Sequence, residues 1–381
     1  MRTLIQNCRI VSPGLDLDRG SVLLVDGSIG AVGPDLPAGA VDRTVDGEGL
    51  MLMPGFIDIH THGCCGCDVT DGSVESIRKI AAAKLREGVT TFLPTTLTLP
   101  QAPLLAAARA VEGYRNGRKP GETKAAGLHV EGPFINPKCV GAQNPAHVRA
   151  PDLREIEAIA AITPVAVVSV AAEMEGGMEF IRGLTEKGIA SSLAHTAATF
   201  AQFVEAKAAG LRHLTHFCNQ MTPLHHREIG IVGAGLIDPD IMLELICDGI
   251  HLCDDMLRLI WATKGGDRLM LITDSMAASW MGDGTLDLGG LAVNVVDGVA
   301  RLTSGALAGS TLRYNDGLGR VARLTGQPLS RLVGATSWNQ ARSLGLDGVG
   351  RIEPGWKADL VLLSRNYEVV GTWVDGVATV F

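Results

Sequence analysis

Eight short apolar runs, most of them followed by a stretch with helical spacing, recur through the middle of this 381-residue chain and constrain its fold more than any other feature. The runs are Phe56 to His60, Thr90 to Pro94, Ala126 to Glu131, Val165 to Ala171, Ile189 to His195, His213 to Cys218, Met242 to Asp248 and Leu269 to Asp274. Their length and near-continuous apolarity suit strands buried on both faces, as in a parallel sheet whose crossovers are helices. Amphipathic stretches at Val74 to Glu87, Leu104 to Tyr114, Leu153 to Ile162, Met178 to Lys187, Ala201 to Ala209 and Asp255 to Thr263 provide crossovers, and several end in Gly as helix C-termini often do. The pattern predicts an α/β chain folded as a (β/α)8 TIM barrel.

The two ends of the chain read differently. Thr3 to Ile10, Gly20 to Val25 and Ser28 to Val32 form an apolar pattern broken by an Asp26-Gly27 turn, and Ala358 to Leu363, Glu368 to Val374 and Val377 to Phe381 repeat it around an Asp375-Gly376 turn. This predicts one small sheet module assembled from residues 1–53 and 346–381, beside a catalytic barrel at residues 54–345.

Composition removes several function classes. Lys plus Arg is 33 against 41 for Asp plus Glu, a net charge of −8, with no basic run to track a nucleic acid. No run of about 18 apolar residues exists to span a membrane, and the first ten residues lack the apolar core and cleavage site of a signal peptide. Of the eight Cys, three crowd into Cys64-Cys65-Gly66-Cys67, which suits reduced thiols better than an extracellular disulfide framework. A cytoplasmic protein with a small-molecule substrate is expected.

A barrel enzyme places its chemistry at the C-terminal ends of its strands, and the polar residues of this chain obey that rule. His60 and His62 close the first run, Glu131 the third, His195 the fifth, His216 the sixth, Asp248 and His251 the seventh and Asp274 the eighth. His60-Thr61-His62 presents two imidazoles on one side of an extended strand. Four further strand ends add imidazole nitrogen and carboxylate oxygen, a donor set that fits Zn²⁺ or Fe²⁺ better than Ca²⁺ or Mg²⁺. An open divalent site polarises a carbonyl and acidifies water, which is the machinery of hydrolysis. Asp274 is the best candidate for the carboxylate that moves the proton.

These residues give the chain a family likeness. With His60-Thr-His62, His195, His216 and Asp274 it resembles the amidohydrolase superfamily, and the stretches Gly127-Leu-His-Val-Glu-Gly-Pro-Phe-Ile135, Thr215-His-Phe-Cys-Asn-Gln-Met221, Leu224-His-His-Arg-Glu228, Cys247-Asp-Gly-Ile-His251, Leu271-Ile-Thr-Asp274 and Leu307-Ala-Gly-Ser310 are similar to its N-acetylglucosamine-6-phosphate deacetylases. The resemblance implies a barrel with a β-sandwich built from both termini. It implies a principal metal on Glu131, His195 and His216, with a second on His60 and His62, and Asp274 as base and acid. It also implies Arg227 and His251 on the sugar phosphate, assisted by Asn219 and the backbone at Gln220. Arg227 comes from a neighbouring subunit in that family, so a homodimer follows. One or two divalent ions per subunit, Zn²⁺ or Fe²⁺, are expected.

The chain departs from the family at two positions. Gln143 stands where a His usually contacts the acetyl oxygen, and Gln can donate a hydrogen bond to that oxygen but cannot be a cation. Gln220 stands where the family has Ala. Both keep a galacto-epimer deacetylase as an alternative substrate reading, and a catalytically inactive binding or scaffold protein is the alternative from another class. His129 and His213 read as packed barrel histidines, Cys64, Cys65, Cys67 and Cys139 as loop residues.

Overall fold

The computed structural model describes residues 1–36, 39 and 41–381, and all eight apolar runs contain strands. They are Phe56–Thr61, Val89–Pro94, Leu128–Glu131, Val165–Val170, Ala190–Leu193, His213–Leu214, Met242–Ile246 and Leu269–Ile272. Every pairing among them is parallel, and the last six form one continuous sheet in chain order. Single parallel bridges from Thr95 to His129 and from Thr61 to Ser275 link that sheet to the first two strands at both of its edges. The result is a mixed α/β architecture around a curled parallel sheet.

The expected helices form at Val74–Arg86, Gln101–Asn116, Leu153–Ala160, Gly177–Glu186, Phe200–Ala209 and Asp254–Lys264, each within a few residues of its sequence estimate. Local chemistry explains their ends. Ser73 caps one through the Ser76 amide, and Thr199 with Gln202 makes a reciprocal capping box before Phe200. Their buried faces pack on the sheet in one large apolar cluster containing Ile77, Val111, Ile181, Phe203 and Leu257.

Some expected strands are shorter than the runs that predict them. The sixth stops at Leu214 rather than reaching Cys218, because the chain turns through positive φ at His216, Cys218 and Gln220. His195 and Asp274 likewise lie just past their strands with φ of 47° and 50°. Left-handed backbone at non-glycine residues is uncommon and concentrates where a site dictates side-chain direction.

Both termini enter one eight-stranded sheet. Arg2–Ser12 pairs with Leu15–Val25, and Met51–Pro54 joins Arg2–Ser12 to Leu360–Leu363, which continues into Val369–Val374 and Val377–Val380. Ile5, Ile10, Val22, Leu52, Leu362 and Trp373 share a separate apolar cluster there. The two Asp-Gly turns meet: a Cβ on Gly27 would lie 2.9 Å from the Asp375 carbonyl oxygen, so its φ of 83° and the close approach both demand glycine.

Several elements have no counterpart in the sequence reading, among them the helices Gly230–Ile237, Tyr314–Thr325 and Trp338–Leu344 and the short hairpin Gly63–Cys64 with Cys67–Asp68, where loop cysteines were expected. After the eighth strand, Gly284–Leu288, Leu291–Val296 and Val299–Leu302 form an antiparallel meander whose apolar face, with Leu288, Val293 and Val295, packs on Leu97 and Met276. No helix among the described residues is long and apolar enough to cross a membrane.

Candidate metal centre

Glu131 sits at the middle of the site. Its Oε1 lies 2.9 Å from His216 Nε2 and 3.3 Å from His195 Nε2, while Oε2 lies 3.1 Å from His62 Nε2. The two imidazole nitrogens of His195 and His216 face each other at 3.2 Å. A second convergence lies alongside, with His60 Nε2 3.3 Å from His62 Nε2 and both close to Asp274 Oδ1, at 3.5 and 3.3 Å. Glu131, His195 and His216 therefore make one buried three-ligand group, and His60, His62 and Asp274 another.

The donor atoms fit divalent ions in their protonation as well as their placement. His195 Nδ1 donates to the Cys139 carbonyl at 2.7 Å, and His62 Nδ1 faces the Thr95 carbonyl at 3.3 Å. A proton held on Nδ1 leaves Nε2 with its lone pair turned into the site, the tautomer that a ligand needs. Charge adds a competitor for the same nitrogen, because without a metal ion the carboxylates draw a second proton onto His62. Burial pushes the Glu131 carboxyl up, but His60, His195 and His216 outweigh it and hold Glu131 well below the usual carboxylate range. Asp274 is likewise pushed up by burial yet held at about 2 by His60 and His62. Burial lowers His62, and Asp274 with Glu131 overcomes it to raise the imidazole to about 9. Carboxylates this crowded attract cationic charge, whether protons on imidazole or a metal ion.

A cavity of about 150 Å³ opens onto these groups. Of the residues singled out in the sequence, His62, Glu131, His195, His216 and Asp274 line it, as do Gln143, Asn219, Gln220 and His251. His60 lies beneath them, fully buried. Arg227 is the exception. It is exposed, with its guanidinium on His226 Nε2 at 2.8 Å, and a single chain does not bring it to the cavity. His251 donates from Nδ1 to Asp248 at 2.7 Å, so its Nε2 is the ring nitrogen left for a ligand.

Both departures from the family are in the cavity wall. Gln143 accepts the Thr98 amide on Oε1 and donates from Nε2 to Glu131 Oε2, each at 2.7 Å, so one of its two amide hydrogens is already engaged. Gln220 packs against Gly141, where a Cβ would come within 3.0 Å of its Cγ and where φ is +54°. The loop that carries Gly141 and Gln143 is tied to the meander by Asn144 Nδ2 donating to the Gly289 carbonyl at 3.1 Å, and Leu288 of the meander joins the lining.

Sequence reasoning missed two clusters of buried charge behind the site. Lys84 is wholly buried and donates to Thr273 Oγ1 at 2.9 Å and Glu87 Oε2 at 3.1 Å, with Asp58 Oδ2 at 3.2 Å. Asp58 accepts from Thr273 Oγ1 at 2.6 Å, so the network locks the residue before Asp274 to the strand that carries His60. Glu244 forms the other, buried between His60 and His213. The sequence signal for both was present: a carboxylate inside an apolar strand run demands a buried partner. His129 and His213 are packed as read, His129 between the Ile59 carbonyl and Ser169 Oγ, His213 between Glu244 and Ser343 Oγ.

Comparison with known proteins agrees with this geometry. The model of the amidohydrolase family matches residues 51–379. The chain is 35% identical to N-acetylglucosamine-6-phosphate deacetylase of Lysinibacillus sphaericus, over 95% of this chain and 94% of that one. It is 37% identical to N-acetylgalactosamine-6-phosphate deacetylase of Escherichia coli O157:H7, over 94% of each. Among solved structures, a mutant of the N-acetyl-D-glucosamine-6-phosphate deacetylase from Mycobacterium smegmatis in complex with N-acetyl-D-glucosamine-6-phosphate superposes with a TM-score of 0.92 at 30% identity, covering all of both chains.

Proposed function

Because this chain belongs to the amidohydrolase family, we propose that it hydrolyses N-acetyl-D-glucosamine 6-phosphate to D-glucosamine 6-phosphate and acetate, in amino-sugar catabolism and cell-wall sugar recycling. The observation that carries this reading is the convergence of Glu131, His195 and His216 beside Asp274 in one cavity, in a chain so similar to named deacetylases.

The residues take distinct roles. Glu131, His195 and His216 hold one divalent ion, and His60, His62 and Asp274 can hold a second; Zn²⁺ suits the nitrogen and oxygen donors best, Fe²⁺ next. When bound, such an ion supplies Lewis acidity, polarising the amide carbonyl and making water acidic enough to attack near neutral pH. Asp274, ionised at neutral pH, takes the proton of that water and delivers it to the departing amine nitrogen. Gln143 directs its remaining amide hydrogen at the acetyl oxygen, where negative charge develops. His251 Nε2 and Asn219 receive the sugar phosphate, with the Gln220 backbone beside them. Arg227 completes the phosphate site of a neighbouring subunit in a homodimer, which accounts for its exposed position in one chain.

The same reading extends to the architecture. Residues 54–345 form a closed (β/α)8 barrel, supported by the Thr61–Ser275 bridge between the first strand and the end of the eighth and the Thr95–His129 bridge between the second and the third, and residues 1–53 with 346–381 form a β-sandwich domain around their own apolar cluster. The protein acts in the cytoplasm on a small molecule.

Gln143 and Gln220 in the cavity wall, together with the 37% identity to a galactosamine-type relative, favour a second reading: N-acetyl-D-galactosamine 6-phosphate as substrate. Acetate release by the purified, metal-loaded protein on both epimers decides. A higher kcat/KM on the gluco epimer is expected. A higher value on the galacto epimer reassigns the substrate, and no acetate from any acetylated sugar phosphate makes the chain a binding or scaffold protein.

A further inference from the structure

Two buried polar atoms of the interior face each other without a hydrogen-bond partner: His60 Nδ1 and Glu244 Oε2, 3.6 Å apart. Both side chains are wholly buried. Glu244 lies in the strand Met242–Ile246, and its other oxygen is already engaged, 3.1 Å from His213 Nδ1, whose Nε2 reaches Ser343 Oγ at 2.5 Å. The carboxylate is thus anchored from below and turned upward onto the ring of His60.

His129 completes a third possible ligand trio with His60 and Glu244, but it is not free to bind an ion. Its two ring nitrogens meet the Ile59 carbonyl at 2.9 Å and Ser169 Oγ at 2.8 Å. What remains is a carboxylate aimed at the ring nitrogen of His60 that points away from the cavity. The opposite nitrogen, Nε2, is the one beside His62 and Asp274.

A histidine that binds a metal usually donates its remote N–H to a carboxylate or carbonyl, which fixes the tautomer, holds the ring plane and makes the ligating nitrogen more basic. His195 and His62 face backbone carbonyls for this purpose. Among the described residues His60 has Glu244 in that place. A charge-assisted N–H···O contact closes at about 2.8 Å, so a small tilt of the His60 ring brings the two orphaned atoms into a bond.

We propose that Glu244 is a positioning residue for the second ion: by accepting a hydrogen bond from the His60 Nδ1–H it presents Nε2 to the His60–His62–Asp274 group, while the Glu131–His195–His216 group takes its ion independently of Glu244. This rests on the two-ion reading of the site given above.

The test compares wild type, E244Q and E244L, loaded with Zn²⁺ or Co²⁺, by ions bound per subunit and by competition with a chromophoric chelator. Wild type binds two ions. Loss of an outer-shell partner weakens metal affinity by about 10- to 100-fold, so E244L weakens the second ion by about 100-fold and E244Q, whose amide oxygen still accepts a hydrogen bond, by about 10-fold. The first ion binds as in wild type in both. With Co²⁺, the absorption of the first equivalent is unchanged and that of the second shifts. Equal affinities for both ions in wild type and variants overturn the proposal, and so does equal weakening of both ions. A wild type that binds only one ion refutes the two-ion reading itself, a separate result. Should E244L not fold, the ratio of second to first affinity in E244Q decides alone.

Discussion

Asp274→Asn removes one charge from the site with almost no change of shape, which makes it the sharpest probe of proton transfer. The wild-type carboxyl is pushed up by burial but held at about 2 by His60 and His62, so at pH 7 it is ionised to all but about one part in 10⁵. The proposed base is therefore present in full, and an amide cannot replace it. General acid–base catalysis contributes about 10²- to 10⁴-fold, so kcat should fall by that factor, a barrier increase of about 3 to 5 kcal/mol. KM should stay within about threefold, because the groups assigned to the sugar phosphate are untouched. Stability changes as well. A carboxyl lowered from 3.8 to about 2 contributes about 2 kcal/mol, present above pH 3.8 and lost as pH falls through 2, so the metal-free variant should be less stable by about that amount at pH 6. Acetate release by Zn²⁺-loaded protein, elemental analysis of the same samples and urea unfolding of chelator-treated samples measure the three quantities. A variant with its full ion content that turns over within about tenfold of wild type would refute the assignment of the proton to Asp274.

The other tests are simpler. Arg227→Ala should raise KM for the phosphorylated sugar far more than for the unphosphorylated one, and mixing it with a kcat-dead Asp274→Asn chain should recover some activity by forming hybrid dimers; an equal effect on both sugars would remove Arg227 from the phosphate site. Gln143→Leu removes the proposed oxyanion donor and should lower kcat by about 10²-fold, while leaving the Thr98 amide without its acceptor and lowering stability by about 1 to 3 kcal/mol; unchanged kcat would show that Gln143 serves only Glu131. In metal-free protein His62 is raised from 6.5 to about 9, lowered by burial but lifted further by Asp274 and Glu131. Its protonated form stabilises the fold fully below pH 6.5, and that contribution is lost as pH rises through 9. The Tm of chelator-treated protein should fall between pH 7 and 9.5, and a flat or rising profile would contradict the charge balance drawn for the site.

The repeated strand-and-helix order, the parallel sheet and most of the candidate metal ligands were legible in the sequence. These are local properties: apolar runs of strand length, capped amphipathic stretches and polar residues at run ends are all visible within a short window. Parallel strands all direct their C-terminal ends to one face, so His60, His62, Glu131, His195, His216 and Asp274 could be grouped from position alone. The paired Asp-Gly turns at residues 26–27 and 375–376 were legible for the same reason, since turn chemistry is short-range. Tertiary structure decided the rest. Whether Glu131 would serve two groups of ligands, that Gln143 would spend one hydrogen on it, and that Arg227 would stand outside the cavity of its own chain all depend on how distant segments meet. Lys84 meets Thr273 across 189 residues of sequence and Glu244 meets His213 across 31, and no local pattern names such partners. The meander at 284–302 escaped because its strands follow the eighth repeat, where the barrel pattern has already ended, and only its packing on Leu97 and Met276 gives it a place beside the cavity. Periodicity fixes which way a side chain faces; what it faces is set by how distant segments of the chain pack together.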